Sequence, residues 1–234
     1  PILIALLCAN GQLTGVDDSM AFIGELSLDG TLRRVNGVLP MVLCAKKNGI
    51  EKIFIPAENI NEGAVVEGIE VYPVKSVLQL INHITGIDEI TPVTAKDYNE
   101  YRHPDNLPDF SDVRGQKEVK RALEIAAAGG HNLLAIGAPG CGKTMALQKF
   151  RGLLPLLTVD ESHPVTRIMS LAGQLPVSES VVRIPPFRMP HQTATIEGMC
   201  GGGVLCRPGE ISLAHNGVLF LDEAAEFRSS VLQM

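Results

Sequence analysis

The chain has 234 residues, 45% of them hydrophobic, with 23 glycines and 15 prolines, enough for one large or two small domains with real cores. Its 26 acidic and 20 basic side chains leave a net charge of −6 and a pI near 5.5, so the overall balance does not advertise a nucleic-acid surface, although a few loop residues suffice to grip one. No apolar run approaches the roughly 18 residues that cross a bilayer, and the apolar opening Pro1–Ala9 lacks the basic flank of a secretory leader. A chain that opens on Pro1 and closes on Met234 reads as a piece of something longer. Cys8, Cys44, Cys141, Cys200 and Cys206 are an odd set without C-x-x-C spacing, which predicts free thiols in a reducing cytoplasm.

Up to about Gly86 the pattern is mixed α/β. Phe22–Leu28 alternates apolar with small or polar residues before Gly30, predicting a strand and a turn. Leu39, Val42 and Leu43 have helical spacing, with Lys46 and Lys47 in the last turn and a stop at Asn48-Gly49. Ile53–Ile55 reads as a short buried strand closed by Pro56, and Ser76 as the cap of a helix carrying Val77, Leu78, Leu80 and Ile81 that stops at Gly86. Residues 87–108 lose the pattern: Pro92, Pro104 and Pro108 break regular structure, and Asp97, Glu100, Arg102, His103 and Asp105 make the stretch polar, as in a linker.

The second domain is expected over residues 109–234. Val119–Ala128 predicts a helix with Val119, Ala122, Leu123 and Ala126 on one face and Gly129-Gly130 as its stop. Leu133–Ile136 is a short apolar run, expected as a strand leading into a glycine-rich loop. Lys143–Leu154 is helical again with Leu147 and Phe150 inward, and Val218–Leu221 is expected as a second buried strand. Helix, strand, loop, helix and later strand is the logic of a parallel sheet.

Gly137-Ala138-Pro139-Gly140-Cys141-Gly142-Lys143-Thr144 fits G-x-x-x-x-G-K-[ST] at every required position. Such a loop wraps backbone N–H groups around phosphate oxygens, so glycines are needed where φ is positive or a Cβ would clash. Lys143 supplies a point charge for the β and γ phosphates of ATP, and Thr144 a hydroxyl for Mg²⁺. A chance glycine-rich turn before a helix is the competing reading, and the apolar run before the loop argues against it. Cys141 occupies a variable loop position and is read as filler rather than as a reactive thiol. Val218–Leu221 then delivers two carboxylates: Asp222 to the Mg²⁺ shell and Glu223 as the general base that polarises water.

Longer stretches go beyond these motifs. Asp109–Gln116 looks like the segment that opens AAA+ modules beside the adenine. Lys120–Leu134, Pro186–His191, Gly201–Gly203 and Pro208–Gly217 closely resemble the magnesium-chelatase-like AAA+ proteins of the YifB/ComM family. The first domain resembles that family's N-terminal region, itself similar to the Lon protease domain, through Gly24–Gly30, Ala45–Ile50 and Ile55–Asn59. The implied architecture is a partial Lon-like (ribosomal S5 domain 2-like) α+β domain over residues 1–86, followed by a P-loop AAA+ parallel-sheet core that stops soon after its acidic strand.

Where Lon's lysine falls, this chain has Val38-Leu39-Pro40-Met41, which cannot act as a base, so the first domain is expected to be non-catalytic. The resemblance further implies a cytoplasmic, ring-forming, hexamer-type assembly that hydrolyses ATP with Mg²⁺ and acts on DNA in branch migration and competence. A magnesium-chelatase-type subunit and a Lon-like protease are the alternatives. The sensor, arginine finger and lid that such an enzyme also needs find no place after Glu223. His191, Cys200, Cys206 and His215 fit no zinc spacing, and Arg183, Arg188 and His191 read as a loop between the two nucleotide motifs, open to solvent or to DNA phosphates.

Overall fold

A computed structural model describes residues 1–93, 108–138, 140–204 and 206–233. It divides into two compact units, residues 1–100 with 166–181, and residues 101–165 with 182–234. Most of the expected linker, residues 94–107, lies outside the described residues. Among the described residues no helix is long and apolar enough to cross a membrane.

The first unit opens with helix α1 (Ile2–Ala9) and continues through β1 (Met20–Phe22), β2 (Glu25–Leu26), β3 (Leu32–Arg33), α2 (Val38–Lys47), β4 (Lys52–Pro56), α3 (Ile60–Gly63), β5 (Glu70–Val74) and α4 (Val77–Ile84). Its three-stranded sheet has the order β1-β4-β5, all parallel, with Phe22, Phe54 and Tyr72 in register. Their rings stack across the strands at centroid separations of 5.1 and 4.9 Å. Ile53 and Ile55 point into one core with Val38, Leu39 and Val42 of α2, while Phe54 and Tyr72 point into another with Leu80 of α4 and Ile4 of α1. A sheet covered on both faces needs apolar residues at successive positions, which is why Ile53–Ile55 is a continuous run rather than an alternation.

The helix ends follow the expected chemistry. α2 stops at Asn48 with Gly49 at φ 79°, and the Ser76 hydroxyl accepts the Gln79 N–H at 3.2 Å to cap α4. The expected single strand Phe22–Leu28 is instead two elements. Its first part closes the parallel sheet as β1, and β2 turns away to form an antiparallel hairpin with β3 around Ser27–Gly30. The same alternation serves both, so the change of partner leaves no mark on the pattern.

A buried carboxylate organises the start of α2. Gly37 occupies the N-cap without a side chain to offer, and Glu62 from α3 reaches across so that its Oε1 accepts the Leu39 N–H at 2.8 Å. Its Oε2 accepts from Asn59 Nδ2 at 3.2 Å, and Asn59 in turn bonds both the N–H and the carbonyl of Val35. The Ser170 hydroxyl donates to the same carboxylate, the Ser170 carbonyl accepts the Gly37 N–H at 3.1 Å, and the Leu175 carbonyl accepts from Arg34. These bonds secure residues 166–181 within the first unit.

The second unit contains α5 (Lys117–Gly129), α6 (Lys143–Lys149), the first part of α7 (Val159–Leu171), β6 (Phe187–Arg188), α8 (Ile196–Cys200), β7 (Gly201–Gly202), β8 (Arg207–Pro208), α9 (Glu210–Leu213), β9 (Val218–Leu219) and α10 (Ser229–Leu232). Its sheet elements are the parallel pair β6–β9 and the antiparallel pair β7–β8. One core gathers Val113, Leu123, Ala126, Ala127, Ala146 and Phe150, with Val218 against it; a second gathers Met199, Phe227 and Val231 with Leu219 and Leu221. Mixed α/β structure with parallel pairing is thus present in both units.

Three local expectations are corrected. α5 buries Leu123, Ala126 and Ala127, whereas Val119 is 40% exposed and Ala122 is also exposed: the buried stripe is rotated and narrower than the pattern implied. Leu133–Ile136 forms no strand, and Leu134 and Ile136 are 81% and 88% exposed. A strand exists only through a ladder partner, and among the described residues none pairs with this run. β9 is shorter than Val218–Leu221 and half-buried, and its partner is β6 rather than the run before the loop.

α7 has no counterpart in the expected elements, yet it opens on a capping box. The Thr158 hydroxyl and N–H donate to the Glu161 carboxylate at 2.8 and 2.9 Å, and the Glu161 N–H returns to the Thr158 hydroxyl. Those bonds, backbone first, hold the exposed Glu161 carboxyl below the usual glutamate range.

Two outcomes are expected. Glu62→Ala strips the acceptor from the Leu39 N–H, the Asn59 amide and the Ser170 hydroxyl, and should lower the unfolding free energy by about 2–4 kcal/mol in urea titrations. Because the Glu161 pKa is lowered by folding, its contribution is present above the usual glutamate range and is lost as pH falls through the lowered value. Wild type should therefore exceed Glu161→Gln in stability at neutral pH, and the two should converge in thermal melts as the pH falls below the usual glutamate range.

Candidate nucleotide site

The glycine-rich loop leads into α6, and its conformation explains its composition. Gly140 and Gly142 take φ values of 77° and 85°, which L side chains rarely adopt, and a Cβ on Gly137 would approach the Cys141 sulfur to 3.1 Å. Pro139 lies outside the described residues. α6 is held from behind by Ala146 and Phe150, both buried in the first core of this unit. The loop is therefore mounted on a packed helix while its own residues stay near the surface.

Lys143 is folded back over the loop. Its ammonium donates to the carbonyls of Gly137 and Ala138 at 2.7 and 2.8 Å and lies 3.5 Å from the Cys141 sulfur. Thr144 points the other way, and its hydroxyl donates to Asp222 Oδ2 at 3.1 Å. Two motifs 78 positions apart in sequence thus meet through one hydroxyl and one carboxylate. Asp222 lies just past β9, after Phe220 and Leu221, and is half-buried; its Oδ1 accepts the Glu223 N–H at 3.1 Å.

Glu223 is exposed and sits at φ 51°, a left-handed conformation that carries strain for any residue with a Cβ. Its Oε2 accepts from Gln192 Nε2 at 3.2 Å. Gln192 had no place among the expected site residues. It follows the short β6 strand, and only the β6–β9 pairing, which periodicity over two residues cannot reveal, carries it to the end of β9.

The arginines between the motifs have different surroundings from the open loop expected of them. Arg188 lies on β6 and forms a two-pronged pair with Glu210, Nε to Oε2 at 2.6 Å and Nη2 to Oε1 at 2.7 Å. The carboxylate beside it raises the guanidinium pKa above its usual value. Arg183 donates from Nε to the Leu157 carbonyl at 3.0 Å. Both side chains are engaged within the unit, Arg188 with a carboxylate and Arg183 with a backbone carbonyl. His191 pairs with the Thr193 hydroxyl at 2.8 Å.

None of the five cysteines is in a disulfide, and among the described residues no group of three or more His, Cys, Asp or Glu side chains is arranged to hold a metal. The β7–β8 register, Gly201 opposite Pro208 and Gly202 opposite Arg207, sets Cys200 and Cys206 at staggered positions of the hairpin rather than opposite each other.

Residues 109–234, over half of the chain, match the family model described as magnesium chelatase, subunit ChlI, and residues 1–59 match one described as subunit ChlI of Mg-chelatase. The chain is 40% identical to the competence protein ComM of Haemophilus influenzae over 99% of its own length and 46% of ComM. It is 42% identical to the uncharacterised protein YifB of Escherichia coli, over 99% of this chain and 45% of YifB. Lon protease 2 of Bacillus subtilis is 35% identical over 72 residues, 30% of this chain and 13% of that protein. The chain spans less than half the length of ComM and YifB. It belongs to the magnesium-chelatase-like AAA+ family that includes YifB and ComM.

Proposed function

We propose that residues 109–234 form the ATP- and Mg²⁺-binding core of an AAA+ ATPase. The observation that carries this reading is the 3.1 Å contact between Thr144 and Asp222, which sets a hydroxyl and a carboxylate together beside the phosphate loop. Hard oxygen donors of this kind suit Mg²⁺, which takes few protein ligands and keeps its waters. When bound, the metal neutralises charge on the phosphate oxygens.

In this reading Gly137, Ala138, Pro139, Gly140, Cys141 and Gly142 wrap the phosphates, every one but Pro139 offering a backbone N–H, and Lys143 gives up the Gly137 and Ala138 carbonyls to meet the β and γ phosphate oxygens. Thr144 and Asp222 hold the metal side. Glu223 orients and polarises the attacking water, taking its proton as the water oxygen bonds to the γ phosphorus and the bond from that phosphorus to the β–γ bridging oxygen breaks, releasing ADP and phosphate. Gln192 restrains the Glu223 carboxylate, so its release or retention sets where that base points.

Residues 1–86 are proposed to be a Lon-like domain used for assembly or docking, joined by residues 87–108 to the ATPase core. Partial identity to a Lon protease supports the likeness, and Val38, Leu39, Pro40 and Met41 at the start of α2 supply no ionisable group for peptide hydrolysis. The full-length protein is proposed to act in the cytoplasm as a ring, of six subunits by family analogy, that remodels branched DNA. The name of ComM supports competence as its setting. Hydrolysis stimulated by branched DNA tests the DNA assignment, and a magnesium-chelatase-type role is favoured if DNA leaves the rate unchanged.

Calorimetry with ATP and Mg²⁺ tests the nucleotide site directly. Lys143→Ala should weaken binding by about tenfold or more, the cost of losing a charge-assisted contact. Asp222→Ala should remove most of the dependence of affinity on Mg²⁺, whereas Glu223→Gln should bind as wild type and turn over more slowly. Equal affinity of wild type and Lys143→Ala would overturn the reading.

A further inference from the structure

We infer that Gln116 is a positioning residue for the phosphate loop, acting through a side-chain clamp on the Cys141 carbonyl. The inference rests on the nucleotide reading above and assigns a role to a side chain outside both nucleotide motifs.

Gln116 Nε2 donates to the Cys141 oxygen at 2.6 Å, and the same nitrogen stands 3.5 Å from where a Cβ on Gly142 would be. The contact links residues 25 positions apart. A peptide group is planar and trans, so its C=O and the following N–H point in opposite directions. Holding the Cys141 carbonyl towards Gln116 therefore aims the Gly142 N–H away from it. Backbone N–H groups are the part of such a loop that phosphate oxygens bind, and glycines that permit positive φ also permit the peptide to rotate. Gly142, at φ 85°, has that freedom. The amide of Gln116 removes it.

The clamp is itself mounted rigidly. Gln116 is the N-cap of α5, and its carbonyl accepts the Lys120 N–H at 3.0 Å. Just before it, Val113 is 1% exposed in the core that also holds Ala146 and Phe150. Asp112 forms an ion pair with Lys149 at the far end of α6. The segment thus runs along α6 and is tied at both ends, to Lys149 at one and to the loop at the other.

Gln116 also adopts φ 45°, ψ 50°, a left-handed backbone that glycine would take with less strain. A glycine there would favour the turn, yet the position carries a long amide. This separates two effects that usually travel together, because Gln116→Gly removes the amide and relieves the backbone, whereas Gln116→Ala removes the amide and keeps the strain.

The test measures ADP and ATP affinity with Mg²⁺ by calorimetry, and Tm by thermal melts, for this chain and its Gln116→Ala, Gln116→Gly, Gln116→Glu and Lys143→Ala variants. Gln116→Ala and Gln116→Gly should bind about three- to tenfold more weakly, the size of one net hydrogen bond. Gln116→Glu, which sets an acceptor against the Cys141 carbonyl, should be weaker still. Tm should follow the backbone instead, with Gln116→Gly at or above Gln116→Ala. Affinity that recovers in Gln116→Gly along with Tm would overturn the clamp and make the residue purely structural, as would wild-type affinity in Gln116→Ala beside a loss in Lys143→Ala. Unchanged affinity in Lys143→Ala would remove the nucleotide reading itself, and the clamp with it.

Discussion

The second unit is organised by the contact between the Thr144 hydroxyl and the Asp222 carboxylate. Neither group reaches the other by local structure. Thr144 is set by the start of α6, whose placement comes from Ala146 and Phe150 in the core, and Asp222 by β9, whose placement comes from β6. The bidentate Arg188–Glu210 pair ties β6 to α9, and the two sides of the carboxylate site therefore depend on two separate sets of packing. Charge-assisted, two-pronged pairing adds geometric as well as energetic definition.

The first unit solves a different problem. A three-stranded parallel sheet is small, and it survives by being covered on both faces and by stacking three rings along one of them. Glu62 is the acidic side chain among the buried polar residues described in that interior, which also include Asn59, Thr166 and Ser170. A buried carboxylate is tolerable only with its acceptor sites used, and the helix N-terminus of α2, the Asn59 amide and the Ser170 hydroxyl use them. It supplies to α2 the cap that Gly37 lacks.

Much of this was legible in the sequence where local chemistry decides the outcome. Ser76 before an apolar run, Asn48-Gly49 after one and the spacing of glycines around Lys143 each act within a few residues, and the structure has those ends where the residues predict them. Long-range pairing was the part that could not be read. Two-residue strands such as β6 have no period, so neither the partner of β9 nor the approach of Gln192 to Glu223 was visible. Leu133–Ile136 looks like a strand because its composition is that of one, but composition supplies no partner. α7 is a different kind of miss: Thr158 and Glu161 spell a capping box, and Pro164 inside the helix disguised what followed.

The placement of residues 166–181 bears on how the chain acquires its structure. They lie between the phosphate loop and the acidic strand in sequence, yet they belong to the first unit, where Ser170 meets Glu62 across 108 positions. The first unit is therefore not a contiguous stretch of chain. During synthesis from the N-terminus, its sheet can pair long before Ser170 exists, and the Glu62 carboxylate then waits in water without one of its partners. Closing so long a loop is slow compared with forming a helix. Completion of the first unit is thus tied to elongation through α6 and into α7, where the second of its two stretches of chain begins.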